Sequence, residues 1–266
     1  MITCSTGSVL SASHTMLLSA AVLSARGTCN VAQEPPDITR SAFDSKYRRR
    51  NRPVVISNAT AVTGARFRSI TAVSELASAY GHLNVTLSSA NAHSYGRKKM
   101  LLGDYLDTMH DVPWQEDGAG ADEIYYLFGE HGEELQPLLA QYPLPRYAAP
   151  VQWLVSSDAN AVAHDPALSF GVAADGSGVP FHFHADGFSE VMHGAKRWLL
   201  YPEEPPHFDA NTTSIKWLRD VYPHLLPWDL PWECVIEPGD LLYFPRDWYH
   251  AIVNLGESVV FMSTFL

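Results

Sequence analysis

The chain has 266 residues, 46% hydrophobic and 18% charged, which suits one large globular domain or one domain with a small appendage. Eighteen Lys and Arg stand against 29 Asp and Glu, a formal charge of −11. That balance argues against broad phosphate-backbone binding, so no nucleic-acid partner is expected.

Near the start, "MLLSAAVLSARG" (Met16–Gly27) holds an apolar run of the length of a signal-peptide core, too short to span a bilayer. In Ala25-Arg26-Gly27, Ala25 and Gly27 offer small residues at the positions a signal peptidase needs. The segment upstream lacks basic residues, translation from Met16 fits as well, and an ordinary tail is the bland alternative. The expectation is a signal peptide over residues 1–27 and a location in the endoplasmic reticulum lumen or secretory pathway. N-x-S/T acceptors at Asn58, Asn84 and Asn211 fit that expectation of a glycoprotein. Cleavage after Gly27 would remove Cys4 and leave Cys29 and Cys234, an even pair that could close a disulfide; two unrelated buried thiols are the alternative. No further long apolar run occurs, so no membrane span is expected.

The basic cluster "KYRRRNRP" (Lys46–Pro53) reads as a solvated approach to a first strand, "RPVVIS" (Arg52–Ser57). Ile70, Val73, Leu76, Ala77 and Tyr80 recur at helical spacing, with Gly81 as the stop, and predict a helix over Ser69–Gly81. "LNVTLS" alternates as a strand, "LLGDYLDTM" predicts a second helix, and "PWQEDGAGAD" (Pro113–Asp122) is a loop by composition. "EIYYLFGE" reads as a strand, followed by a helix near "EELQPLLAQY". From Leu168 onward short strands punctuated by Gly and Pro dominate, interrupted by a helix around "TSIKWLRDVY" (Thr213–Tyr222). Such a run predicts an antiparallel sandwich or barrel. The insert "YPHLLPWDLPWEC" (Tyr222–Cys234) is expected to pack as a loop over it.

Two segments carry chemistry. "GSGVPFHFHADG" (Gly176–Gly187) sets His182, His184 and Asp186 at every second position, and alternate strand residues face the same way. "PGDLLYFPRDWYHAIVNL" (Pro238–Leu255) supplies a remote His250. Imidazole is the commonest protein metal ligand at neutral pH, so an H-x-H pair with a distant histidine points to a metal centre.

"RPVVI", "GSGVPFH", "GAKRWLLYP" and "LLYFPRDWYHA" resemble the JmjC branch of the cupin superfamily. The resemblance implies a mostly β fold with flanking helices: a double-stranded β-helix (jelly-roll) core with an N-terminal α+β extension. The expected division is 28–150 for the strand and helix portion and 151–266 for the core with its metal site. It further implies iron(II) on an H-x-D/E…H triad, chelated by 2-oxoglutarate. His182 then matches the first ligand, His250 the last, and Lys196 the cation that pairs with the distal carboxylate of 2-oxoglutarate. The departure is His184, which stands where the family has Asp or Glu. Asp186, in the turn-forming "ADG", reads as a turn residue ahead of a ligand, with a displaced substitute for the missing carboxylate as the alternative.

A general cupin pattern competes. Gly176, His182 and His184 match its first half, and Glu190 follows with one residue more than usual. Gly239, Pro245, His250 and Asn254 keep its second spacing. If Glu190 were a fourth ligand, iron with bidentate 2-oxoglutarate would have no position left for oxygen. Three readings therefore stand: a secretory-pathway protein hydroxylase with an altered triad, a catalytically inactive module acting through a protein partner, and a cupin metalloenzyme that does not use 2-oxoglutarate. Substrate, activity and oligomeric state are not encoded in these motifs.

Overall fold

A computed structural model describes residues 29–90, 96–111, 124–129, 133–148 and 166–266. The expected leader over 1–27, the loop 113–122 and the expected boundary between 150 and 151 lie outside these residues.

The first half supplies short elements. Strand β1 (Ala32–Glu34) runs parallel to β2 (Val54–Ile56), with helix α1 (Arg40–Lys46) between them, its first turn capped by the Thr39 hydroxyl. The single helix expected over Ser69–Gly81 is two, α2 (Ala65–Ile70) and α3 (Val73–Tyr80). Thr71 explains the break: its hydroxyl donates to the Phe67 carbonyl at 2.7 Å, and Ala72 is extended with ψ 142°. A hairpin of β3 (Asn84–Ser89) and β4 (Arg97–Leu101), helix α4 (Leu102–Thr108), strand β5 (Tyr125–Leu127) and helix α5 (Gln136–Leu139) follow.

Strands then dominate: β6 (Ala167–Ala174), β7 (Gly178–His182), β8 (Gly187–Tyr201), β9 (Trp232–Ile236), β10 (Leu241–Phe244) and β11 (Tyr249–Phe265), with helix α6 (Ser214–Asp220) between β8 and β9. "SEVMHG" and "KRWLLYP" are one strand, β8, and "WYHAIVNL" and "SVVFMSTF" are one strand, β11. These two pair along their length, with a register shift between Leu255 and Val260. Gly194 sits opposite that shift at φ 77°, a left-handed conformation that bends the strand without ending it. Beyond the shift the partners change: β7 lies on the first half of β11 and β6 on the second, while β10 and β9 divide β8 in the same way.

The described strands do not form the jelly roll that the motifs lead one to expect. The described strands form one mixed sheet in the order β1-β2-β10-β8-β11-β6-β5-β3-β4, with β7 and β9 branching from β11 and β8. This path is open, with β1 and β4 at its ends, so the sheet does not close as a barrel or double-stranded β-helix. The edge at β4 shows why it stops: Arg97, Lys98 and Lys99 are exposed there, and a charged edge resists further pairing.

Helix α6 packs Trp217 and Leu218 with Leu199, Tyr201, Ala251 and Val253 on one sheet face. The α2–α4 helices cover another portion through Phe67, Leu76, Leu102 and Leu106 against Phe170, Val172, Met192 and Met262. Burying each such side chain contributes about 1.5–3 kcal/mol. The face opposite α6 carries Trp198, Leu200, Ile236, Phe244, Trp248 and Ile252, and leads into the site. The insert at 222–234 is less packed than expected, with Trp228 77% exposed and Leu226 and Leu230 also exposed.

Candidate metal centre

Backbone pairing brings the histidines together. β7 and β11 are antiparallel with His182 opposite His250, and cross-strand partners point to the same face. β7 ends at His182, and two residues on His184 again lies on that face, beside His250. Phe183 between them turns outward, 53% exposed. The ring centroids lie 4.3 Å apart for His182–His250, 4.7 Å for His184–His250 and 5.2 Å for His182–His184. One nitrogen from each ring falls within 4.8 Å of the other two.

Each ring is also locked from behind. Nδ1 of His182 donates to the Pro180 carbonyl at 2.8 Å, Nδ1 of His184 to Ala185 at 2.7 Å, and Nδ1 of His250 to Trp248 at 2.9 Å. A carbonyl only accepts, so the proton sits on Nδ1 and the lone pair on Nε2. This is the outer hydrogen-bond arrangement that orients metal-ligating histidines. Nε2 of His184 and Nε2 of His250 are 3.2 Å apart, so two lone pairs face each other. Two nitrogens each about 2.1 Å from one ion stand about 3.0–3.4 Å apart in octahedral or tetrahedral geometry, so the spacing fits a shared cation. Burial lowers the His184 pKa; burial and the neighbouring imidazoles hold that of His250 well below its ordinary value. Both effects favour the neutral ring that a metal needs.

The carboxylates named from the sequence are engaged elsewhere. Asp186 pairs with Arg48 at 3.3 Å and Arg246 at 3.6 Å and accepts from the Tyr243 hydroxyl at 3.2 Å. Glu190 is 1% exposed; it accepts from the Tyr142 hydroxyl at 2.9 Å and lies 3.7 Å from Arg68. Burial raises its pKa. Among the described residues, the three histidines form the candidate metal cluster with no carboxylate in it.

Lys196 lines the same cavity, about 250 Å³ in volume. It is 3% exposed, and its Nζ lies 3.2 Å from the centroid of the Phe261 ring, a cation–π contact. No carboxylate pairs with it among the described residues, and burial pushes its pKa well down. Sequence reasoning missed the aromatic walls. Trp198 stacks on Phe244 at 5.5 Å and 12°, and both rings lie within 5.5 Å of His250. Their signal was strand parity: Lys196 with Trp198, and His250 with Ile252 and Asn254, alternate onto one face. Trp198 Nε1 and Asn254 Oδ1 are buried there without hydrogen-bond partners.

The other residues singled out lie apart from the cavity. Cys29 Sγ is 2.07 Å from Cys234 Sγ, joining the residues before β1 to β9. Asn58, Asn84 and Asn211 are all exposed. No helix among the described residues is long and apolar enough to cross a membrane.

The model of a cupin-like domain matches residues 40–265. JmjC domain-containing protein 8 of Homo sapiens is 38% identical over 231 residues, covering 86% of this chain and 81% of the relative. Its Rattus norvegicus counterpart is 38% identical over 216 residues, 81% of this chain and 74% of the relative. A 2-oxoglutarate and iron-dependent oxygenase of Gallus gallus is 29% identical over 147 residues, half of this chain and 34% of the relative. The chain belongs to the cupin-like family, among relatives of JmjC domain-containing protein 8.

Proposed function

We propose that the chain is a cupin-like metalloprotein that holds one divalent ion on His182, His184 and His250 and does not use 2-oxoglutarate. The observation that carries this reading is the convergence of three backbone-locked imidazoles with Asp186 and Glu190 both committed to other partners. When bound, such an ion would supply Lewis-acid chemistry at an oxygen ligand in the cavity. The chain's own residues would do the rest. Trp198, Phe244 and Phe261 give the cavity apolar walls, an anionic ligand would offset the burial of Lys196 and pair with it as an ammonium, and Asn254 Oδ1 would accept from an N–H or O–H group of that ligand.

A second reading, a non-catalytic module that acts through a protein partner, draws support from the missing carboxylate and from Phe261 lying over the Lys196 ammonium. An anaerobic titration with iron(II) and then 2-oxoglutarate separates the possibilities. The proposal expects bound metal and no visible charge-transfer band. A saturable band, lost in His182→Ala and weakened in Lys196→Ala, would mean iron(II) and 2-oxoglutarate are the cofactors after all. Absence of metal would leave the non-catalytic module.

The compartment proposed is the secretory pathway, endoplasmic reticulum lumen included. Support comes from the Cys29–Cys234 contact and the three exposed acceptor asparagines. Expression of the full chain in animal cells should give a product whose mass falls on endoglycosidase treatment; an unchanged mass would count against it.

A further inference from the structure

Residues 46–52 put five cations into seven positions of an otherwise acidic chain. The fold turns them into a ridge. Arg48–Arg50 form a single 3₁₀ turn ended by Asn51 in the left-handed region at φ 51°. Asn51 Nδ2 donates to the Arg246 carbonyl at 3.1 Å, and Arg48 and Arg246 share the Asp186 carboxylate. Arg246 thereby joins the ridge as a sixth cation. The nearby anions are Asp186, which is buried between its two arginines, Glu34, which holds Lys46 at 2.9 Å, and the exposed Asp247. Arg50, Arg52 and Arg246 are left exposed, and the Arg246 side chain is 60% exposed despite its contact with Asp186.

The ridge adjoins the metal centre. Asp186 lies two residues after His184, and the Asp247 amide donates to the His184 carbonyl at 3.0 Å. On the opposite sheet face, Phe183 packs on the half-buried Tyr249 at 4.9 Å. A surface of exposed guanidinium groups suits a polypeptide carrying carboxylates.

We propose that this ridge docks an acidic polypeptide segment, whose carboxylates engage Arg50, Arg52 and Arg246 beside the opening of the three-histidine cavity. Guanidinium matches a carboxylate with two parallel hydrogen bonds, and five of the six cations are arginine. The chain's charge of −11 opposes approach to an anionic bilayer or nucleic acid over long range. A short acidic segment instead feels the ridge within a screening length of about 8–10 Å. The inference stands whether or not the metal centre turns over a substrate.

The test is fluorescence anisotropy with labelled oligoglutamate and oligoglutamine peptides on the intact protein. Oligoglutamate should bind and oligoglutamine should not, and binding should weaken as salt is raised. The double variant Arg50→Glu/Arg52→Glu should weaken oligoglutamate binding about tenfold or more, equivalent to about 1.4 kcal/mol, while bound metal stays unchanged. Arg246→Gln serves as a second, milder variant with the same direction. His250→Ala should lose metal and still bind oligoglutamate, which separates this proposal from the metal reading. Equal binding by the double variant, or no oligoglutamate binding at low salt, would overturn the proposal. So would binding confined to phosphatidylserine-containing vesicles, since that would make the ridge a membrane contact.

Discussion

The geometry of the candidate metal centre turns on which nitrogen of each histidine carries the proton. Three backbone carbonyls hold the Nδ1–H groups, so three Nε2 lone pairs converge. The H-x-H spacing and the remote His250 were legible in the sequence, because alternation along a strand fixes which side chains share a face. The sequence left Asp186 and Glu190 open as ligands, because a carboxylate's partner comes from elements distant in the chain: Arg48 and Arg246 for the first, Tyr142 and Arg68 for the second. Glu190 offers a pH-dependent test. Its folded pKa is raised by burial, so on unfolding it releases its proton, and the carboxylate contributes less to stability once pH rises past the ordinary 4.5. Glu190→Gln, which keeps an acceptor for the Tyr142 hydroxyl, should therefore gain stability relative to the parent as pH rises through and above that range. Urea unfolding of both proteins at several pH values would show it; a difference that shrinks with rising pH would contradict it.

At the level of elements, two long strands do most of the organising. β8 and β11 looked like four strands because Gly194 and the residues near Gly256 read as breaks; both glycines have φ above +70°, which bends a strand but lets its pairing continue. Helix α3 was visible from its periodicity, whereas the split from α2 was not, since back-bonding by Thr71 competes with the helix without altering the apolar spacing. β7 is the element that aims His182, and it lies close to β11 at Gly178. A Cβ at Gly178 would fall on the Ile252 carbonyl oxygen. Gly178→Ala should thus push β7 away from β11, lower stability by about 1–3 kcal/mol and weaken metal binding together. Thermal unfolding and metal titration of the variant check both parts; unchanged metal affinity would show that β7 does not set the His182 position.

For the molecule as a whole, the family resemblance was carried by local motifs, but the closed jelly-roll expected from it was not found. The strand pairing runs as one open path; the basic residues of β4 mark one edge, but nothing in the strand-forming residues of β1 announces the other. Closure depends on pairing between distant segments, which short motifs do not encode. The contact between Cys29 and Cys234 spans 205 positions and fastens the residues before β1 to β9. A cross-link over such a loop typically contributes about 2–4 kcal/mol. Reduction, or the Cys29→Ser/Cys234→Ser pair, should lower the unfolding midpoint clearly; an unchanged midpoint under reductant would mean the bridge carries no stability.

The central claim is that three histidines and no carboxylate hold the metal. Its most direct measurement is a cobalt(II) titration of the purified chain, followed by visible absorption and repeated on five variants. The prediction is one ion per chain, with affinity falling in His182→Ala, His184→Ala and His250→Ala by more than the roughly 10–100-fold that outer hydrogen-bond partners command. Asp186→Asn and Glu190→Gln should leave the spectrum and the affinity as they were. Binding that survives His250→Ala, or that falls in either carboxylate variant, would contradict the account.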